Sequence, residues 1–158
     1  FKSQPVVKPK SGPKKIFISY AREDRVWVDK LGRHLVSLKR RGLVESWDDS
    51  RIRPGTEWDE SIMDALKQAD IYIFLISIDF IASTFINQRE VPVALQRAKK
   101  DTSIRVIPVV IRTCEWGDEL YSKFQALPPN AKPISTWHDE EEAFTQVVKG
   151  IASLLEVN

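Results

Sequence analysis

One cysteine, one methionine and two histidines are few for 158 residues, and each scarcity removes a class of function. The lone Cys114 leaves no internal disulfide and no cysteine-rich metal site. His34 and His138 have no partners at ligand spacing, so no metal centre is expected. A cytoplasmic setting fits this cysteine usage. No apolar run approaches the ~20 residues that span a bilayer. The first residues lack the apolar core of a secretory signal. No membrane contact is expected. The charge is nearly balanced, 24 basic against 22 acidic residues for a net +2, which gives no reason to expect direct nucleic-acid binding. Gly-x-Gly-x-x-Gly after the first strand and the phosphate-binding Gly-Lys-Ser/Thr loop are both missing, which argues against a Rossmann dehydrogenase or a P-loop NTPase. Gly-x-Ser-x-Gly is missing too, and no Ser/His/Asp set suggests itself. No resident cofactor is expected.

What is present has the balance of a globular domain of ordinary size, 42% hydrophobic and 29% charged. Residues 1–14 hold Pro5, Pro9 and Pro13 among lysines, with no apolar periodicity, and read as a linker or tail. Because the chain opens on Phe1 rather than Met, a domain upstream of that tail is expected. Residues 15–158 read as one domain.

Short apolar runs then alternate with helical patterns. Ile16–Tyr20 is a predicted first strand. Val28, Leu31, Leu35 and Leu38 form one face of a helix that Gly42 ends. Leu43–Trp47 is a short second strand, and Asp48–Thr56 is a polar loop with the turn signal Pro54-Gly55. Thr56 is expected to cap a helix whose inner face is Trp58, Ile62, Ala65, Leu66 and Ala69. Ile71–Ile76, almost wholly apolar, predicts a strand buried on both faces. A helix follows from about Asn87 to Lys100, with Pro92 in its first turn. Ile104–Ile111 is a fourth strand with Pro108 sitting awkwardly inside it. Residues 112–130 are poorly patterned, and Lys132–Ser135 is a candidate fifth strand. Asp139, with Glu142 three residues on, is expected to cap a last helix with Phe144, Val147, Val148, Ile151 and Leu155 inward. The alternation predicts the α/β class: a single flavodoxin-like domain, a five-stranded parallel sheet of order 2-1-3-4-5 with helices on both faces.

In such a sheet ligands bind at the C-terminal ends of strands one and three. Ser19–Arg22, Asp48–Thr56 and Ser77–Glu90 converge there. Glu90 is the only acidic residue between Phe80 and Gln96 and is the candidate catalytic group. The sequence places it at or near a helix N-terminus, where the dipole favours a carboxylate. A phosphoacceptor receiver domain shares the expected fold but needs acids at the ends of strands one and three. Those ends carry Ser19-Tyr20 and Ser77, and Asp24 and Asp79 are out of place for that role.

Four segments resemble the TIR (Toll/interleukin-1 receptor) domain family in order and spacing. Lys15-Ile16-Phe17-Ile18-Ser19-Tyr20-Ala21-Arg22-Glu23-Asp24 is similar to its opening motif. Trp47-Asp48-Asp49-Ser50-Arg51-Ile52-Arg53-Pro54-Gly55-Thr56-Glu57-Trp58 resembles its second strand and BB loop in bacterial form. Leu75-Ile76-Ser77-Ile78-Asp79-Phe80-Ile81-Ala82-Ser83, followed by Glu90, resembles the third box, and Ile107-Pro108-Val109-Val110 the fourth strand. The resemblance as a whole covers roughly residues 15 to 156.

The resemblance implies one of two activities. Some TIR domains are non-enzymatic interaction modules that assemble through the BB loop. Others are NAD+ glycohydrolases that release nicotinamide, with a glutamate at the position of Glu90, and NAD+ is then substrate rather than cofactor. Either way self-association through TIR–TIR contacts and a role in immunity, antiphage defence or cell death are implied. On the enzymatic reading Ser19, Tyr20 and Ser77 line the pocket, Arg22 meets the pyrophosphate, Trp47 stacks on a base and Asp48 bonds substrate. Each has a plain alternative as a strand end, a solvated loop residue or core. The family often carries an aromatic four residues before the glutamate. Here Ile86 stands there, with Phe85 one residue earlier. Arg51, Arg53, Pro54 and Gly55 form the exposed turn expected to meet a neighbouring subunit.

Overall fold

The computed structural model describes residues 12–47 and 60–156. Four parallel strands are described, β1 (Lys14–Ser19), β2 (Val44–Trp47), β3 (Ile71–Ile76) and β4 (Arg105–Val110), in the order β2-β1-β3-β4. The chain runs from β1 to β2 on one side, then crosses back past β1 to β3 on the other, so the order reverses between β1 and β3. That reversal opens a crevice at their C-terminal ends.

Side-chain alternation divides the core into two layers. Ile16 and Ile18 of β1 and Tyr20 just after it, with Ile71, Ile73 and Leu75 of β3, face one way. They pack on Val28 and Leu31 of α1 (Arg25–His34), Leu38 of α2 (Val36–Arg40), and Phe144, Val147 and Ile151 of α6 (Glu140–Glu156). Phe17 and Ala21, with Tyr72, Phe74 and Ile76, face the other way. There they meet Ile62 and Leu66 of α3 (Glu60–Gln68) and Val91 and Ala94 of α5 (Val91–Lys100). All six residues of β3 are buried, as its continuous apolar run predicts. Each Ile, Leu or Phe so placed stabilises the fold by about 1.5–3 kcal/mol relative to exposure.

Local signals hold in detail. Gly42 takes φ 72°, the left-handed value that favours glycine after a helix. The Asp139 carboxylate accepts from the amides of Glu141 at 3.0 Å and Glu142 at 3.3 Å, capping α6. Within α6, Gly150 has a packing reason: a Cβ there would lie 2.6 Å from a Leu127 methyl. Pro108 costs β4 no bond to β3. Its carbonyl accepts from Leu127 on the outer edge, and a residue's N–H and C=O point to the same side of a strand, so the missing donor faces outward.

The expected fifth strand over Lys132–Ser135 does not form, and Ile134–Thr136 is a 3-10 turn. Two separate points meet the outer edge of β4 instead. Leu127 donates to Pro108 at 2.8 Å and accepts from Val110 at 2.9 Å, and Ser135 donates to Ile111 at 3.0 Å. Pro128, Pro129 and Pro133 lie between those points without an N–H, so a continuous ladder cannot be built there. The predicted first helix is divided into α1 and α2 at Leu35. Thr56 and Trp58 lie outside the described residues.

Candidate active site

Each strand end at the crevice closes on a polar group. Ser19 ends β1, Ser77 follows β3, and Arg112 follows β4 after Ile111. Three of the connections are cross-tied. Arg112 donates to Asp24 Oδ1 from Nε at 3.0 Å and Nη2 at 2.7 Å, and Nη2 lies 2.5 Å from Asp79 Oδ2. Ser77 donates to Asp24 Oδ2 at 2.5 Å and accepts from the amide of Phe80 at 3.1 Å, capping α4 (Ile78–Ala82). Burial alone would lower the pKa of Arg112. The bonds and charges of Asp24 and Asp79 outweigh it and hold the guanidinium above its ordinary value. Both carboxylates are thus committed to one cation.

Glu90 ends a π-helical turn, Ile86–Glu90, that runs into α5. The turn closes by a bond from the amide of Val91 to the carbonyl of Ile86, five residues back. Its start is capped by Ser83, whose hydroxyl accepts from the amide of Ile86 at 3.2 Å. This corrects the expected helix start near Asn87. Helical backbone begins at Thr84, so Glu90 lies more than a turn inside. The dipole's pull on anions fades beyond the first turn, and it does not single out Glu90. Glu90 is 8% exposed, between the core residues Ile86 and Val91.

Ser19 belongs to the same side of the sheet. It ends β1 midway between Phe17 and Ala21 in the extended chain, and those two share a cluster with Ile86 and Val91. Ser19 is 1% exposed, and its hydroxyl has no hydrogen-bond partner among the described residues. A buried unpaired hydroxyl costs roughly 1–3 kcal/mol and calls for an explanation. Cys114 offers no ready nucleophile, since burial pushes its thiol up.

The TIR-domain family model matches residues 16–148, most of the chain. This chain belongs to the TIR-domain family. An uncharacterized protein, y4lF, of Sinorhizobium fredii is 38% identical over 136 residues, 86% of this chain. The chain spans 42% of that relative's length. In fold it is similar to the TIR domain of the Toll-related receptor TRR-2 of Hydra magnipapillata, with TM-score 0.50, 22% identity, and 88% and 96% of the two chains covered. It is likewise similar to the RPS4 and RRS1 TIR domain heterodimer, with TM-score 0.52, 9% identity, and 90% and 97% covered.

Within this TIR domain the other candidate positions separate. Tyr20 lies on the α1 side of the sheet, away from Ser19, and its hydroxyl accepts from Arg25 at 2.5 Å. Arg22 is exposed on the 3-10 turn Arg22–Asp24. Of the two readings open for Ser77, its described bonds are the internal ones, to Asp24 and to α4. The backbone of Trp47 pairs in register with Phe17. Phe85 is 41% exposed, with the Arg89 guanidinium 5.6 Å from its ring centre, while Ile86 is buried in the core. Asp48 and the BB-loop residues Arg51, Arg53, Pro54 and Gly55 lie outside the described residues. The sequence reading missed Arg112 and Asn87 and set Asp24 aside. One signal was visible: Arg112, like Ser77, is the first polar residue after an apolar strand.

Proposed function

We propose that this TIR domain is an NAD+ glycohydrolase, with Glu90 stabilising the positive charge that grows on the ribose as nicotinamide leaves. The observation that supports the reading is a buried carboxylate, Glu90, on the turn leading into α5, which packs on the side of the sheet that Ser19 faces from the end of β1, where the Ser19 hydroxyl is buried without a hydrogen-bond partner among the described residues.

The chemistry suits a single acid. Glycosidases use two carboxylates because an alkoxide leaving group needs a proton. In NAD+ the bonding pair goes to an already cationic pyridinium nitrogen, so nicotinamide departs neutral without a general acid. Water then takes the ribosyl cation and loses its proton to solvent, giving ADP-ribose. Attack by a nitrogen of the same molecule's adenine would give a cyclic product. Asp24 and Asp79 are both held by Arg112 and are not needed. Ser19 bonds a ribose hydroxyl, which supplies the partner its side chain lacks among the described residues. The domain works when copies assemble through the BB loop, within a longer signalling protein of immunity or cell death whose upstream part senses or oligomerises.

A second reading is a non-enzymatic TIR scaffold acting through homotypic contact. Exposed apolar side chains, among them Ile78, Phe85 and Leu120, favour it.

Nicotinamide release separates the two. At high protein concentration with a crowding agent, the native chain should release nicotinamide from NAD+, and Glu90→Gln should release 10²–10³-fold less. No release under any assembled condition sinks the enzyme, and equal release by both chains sinks Glu90. A scaffold should instead lose self-association on Pro54→His or Arg53→Ala, with no nicotinamide from either.

A further inference from the structure

One amide braces the turn that carries Glu90. Asn87 Nδ2 lies 2.9 Å from the carbonyl oxygen of Phe80, 3.3 Å from that of Ile81 and 2.8 Å from that of Ser83. An amide nitrogen has two hydrogens, so three acceptors share them, with Ile81 the weakest. These carbonyls belong to the C-terminal end of α4 and its cap, where a helix leaves acceptors unsatisfied. The opposite end of α4 is also held, by the Ser77 cap and by the Arg112–Asp79 pair. The short α4 is therefore pinned at both ends, and Asn87 is the bond from it to the π-turn.

A π-turn carries one residue more than an α-helical turn and is rarely favoured by itself. Returning it to α-helix would rotate the segment on one side by about 100°, the angle of one helical residue. Glu90 stands three residues after Asn87 on that turn. An outside brace is needed to keep residues 86–90 wide, and Asn87 is half-buried where it can act as one.

We propose that Asn87 is the positioning residue for Glu90: by bonding the carbonyls of α4 it locks the π-turn, so that the Glu90 carboxylate stays on the Ser19 side of the sheet. Its kinetic consequence rests on the NAD+ reading above, whereas its structural consequence does not.

Asn87→Asp tests this with little change of shape, because it turns the donor into an oxygen facing three carbonyl oxygens. Asn87→Ala, which adds no charge, is the second variant should the first unfold. Amide hydrogen exchange and NAD+ cleavage are measured on both and on the native chain. Exchange over residues 86–91 should quicken at least tenfold while β3 is unchanged. The kcat should fall at least tenfold with KM within about twofold, a split that loss of substrate binding would not produce. For Asn87→Asp the loss should shrink as pH falls through the new carboxyl's pKa, at or above about 4, because the protonated group regains one donor. Asn87→Ala should show no such recovery. Native exchange rates over 86–91 in both variants, or quickened exchange with unchanged kcat, would overturn the proposal. A native chain that releases no nicotinamide would sink the NAD+ reading, and the exchange comparison would still decide whether Asn87 holds the turn.

Discussion

Arg112 and Asp24, 88 residues apart, are joined by two hydrogen bonds from one guanidinium to one carboxylate oxygen. The bond links the residue after the last strand to the turn after the first, across the C-terminal edge of the sheet. Asp24 is 1% exposed, so the pair is a fixed strut of the crevice.

Arg112→Ala should therefore destabilise the domain by about 3–5 kcal/mol, since it leaves a buried carboxylate without its cation. Asp79→Asn should cost less than about 1 kcal/mol, because that carboxylate is partly solvated and its pairing is screened. Urea midpoints of the two variants check the contrast. Similar losses in both would mean that Asp24 is supported by something other than Arg112.

Ser19→Ala separates a binding hydroxyl from a structural one. With no partner for its oxygen among the described residues, removal should leave stability unchanged or raise it by up to about 1 kcal/mol. If the hydroxyl bonds substrate, KM for NAD+ should rise about 5–30-fold, the equivalent of roughly 1–2 kcal/mol. A stability loss above that range with unchanged KM would assign Ser19 to the fold alone.

Tyr121 is buried with its ring edge-on to Phe74 at 5.4 Å and to Phe80 at 5.6 Å, and its hydroxyl has no partner among the described residues. Tyr121→Phe should stabilise the protein by about 1 kcal/mol at neutral pH. Burial pushes the phenols of Tyr121 and Tyr72 up. A raised acid pKa gives stability that is complete below the unfolded value, near 10, and falls as pH climbs beyond it, because the unfolded chain ionises first. The unfolding midpoint should thus drop above about pH 10, and Tyr121→Phe should make that drop shallower. Denaturant titrations between pH 7 and 11 measure both effects.

Asp139→Ala should cost about 1 kcal/mol by uncapping α6. Glu142→Ala should cost less, because the Glu142 side chain bonds Gln146 at 2.9 Å. Thermal unfolding of the two single variants tests the order.

Features written in neighbouring residues were legible in advance. The run Ile71–Ile76 became β3 with the bounds its composition implies, Gly42 took the left-handed turn, and Asp139 capped its helix. The fifth strand misled because Lys132–Ser135 looks extended in isolation, while the prolines around it matter only when a ladder partner must be supplied. The start of the helix before Glu90 misled because Pro92 and Asn87 mark a plausible N-terminus, whereas Ser83 and the π-turn carry the helix further back.

The sequence by itself determined the alternating α/β pattern and the family and singled out Glu90 as the candidate, since periodicity, end signals and a solitary acid are all properties of residues close together in the chain. Only the tertiary structure decided that Ser19 shares a side of the sheet with Glu90 and Tyr20 does not. The same holds for the capture of Asp24 by Arg112 and for the bracing of the Glu90 turn by Asn87. Such contacts depend on strand order and on the rotation of each helix against the sheet, and neither quantity is carried by any short stretch of residues.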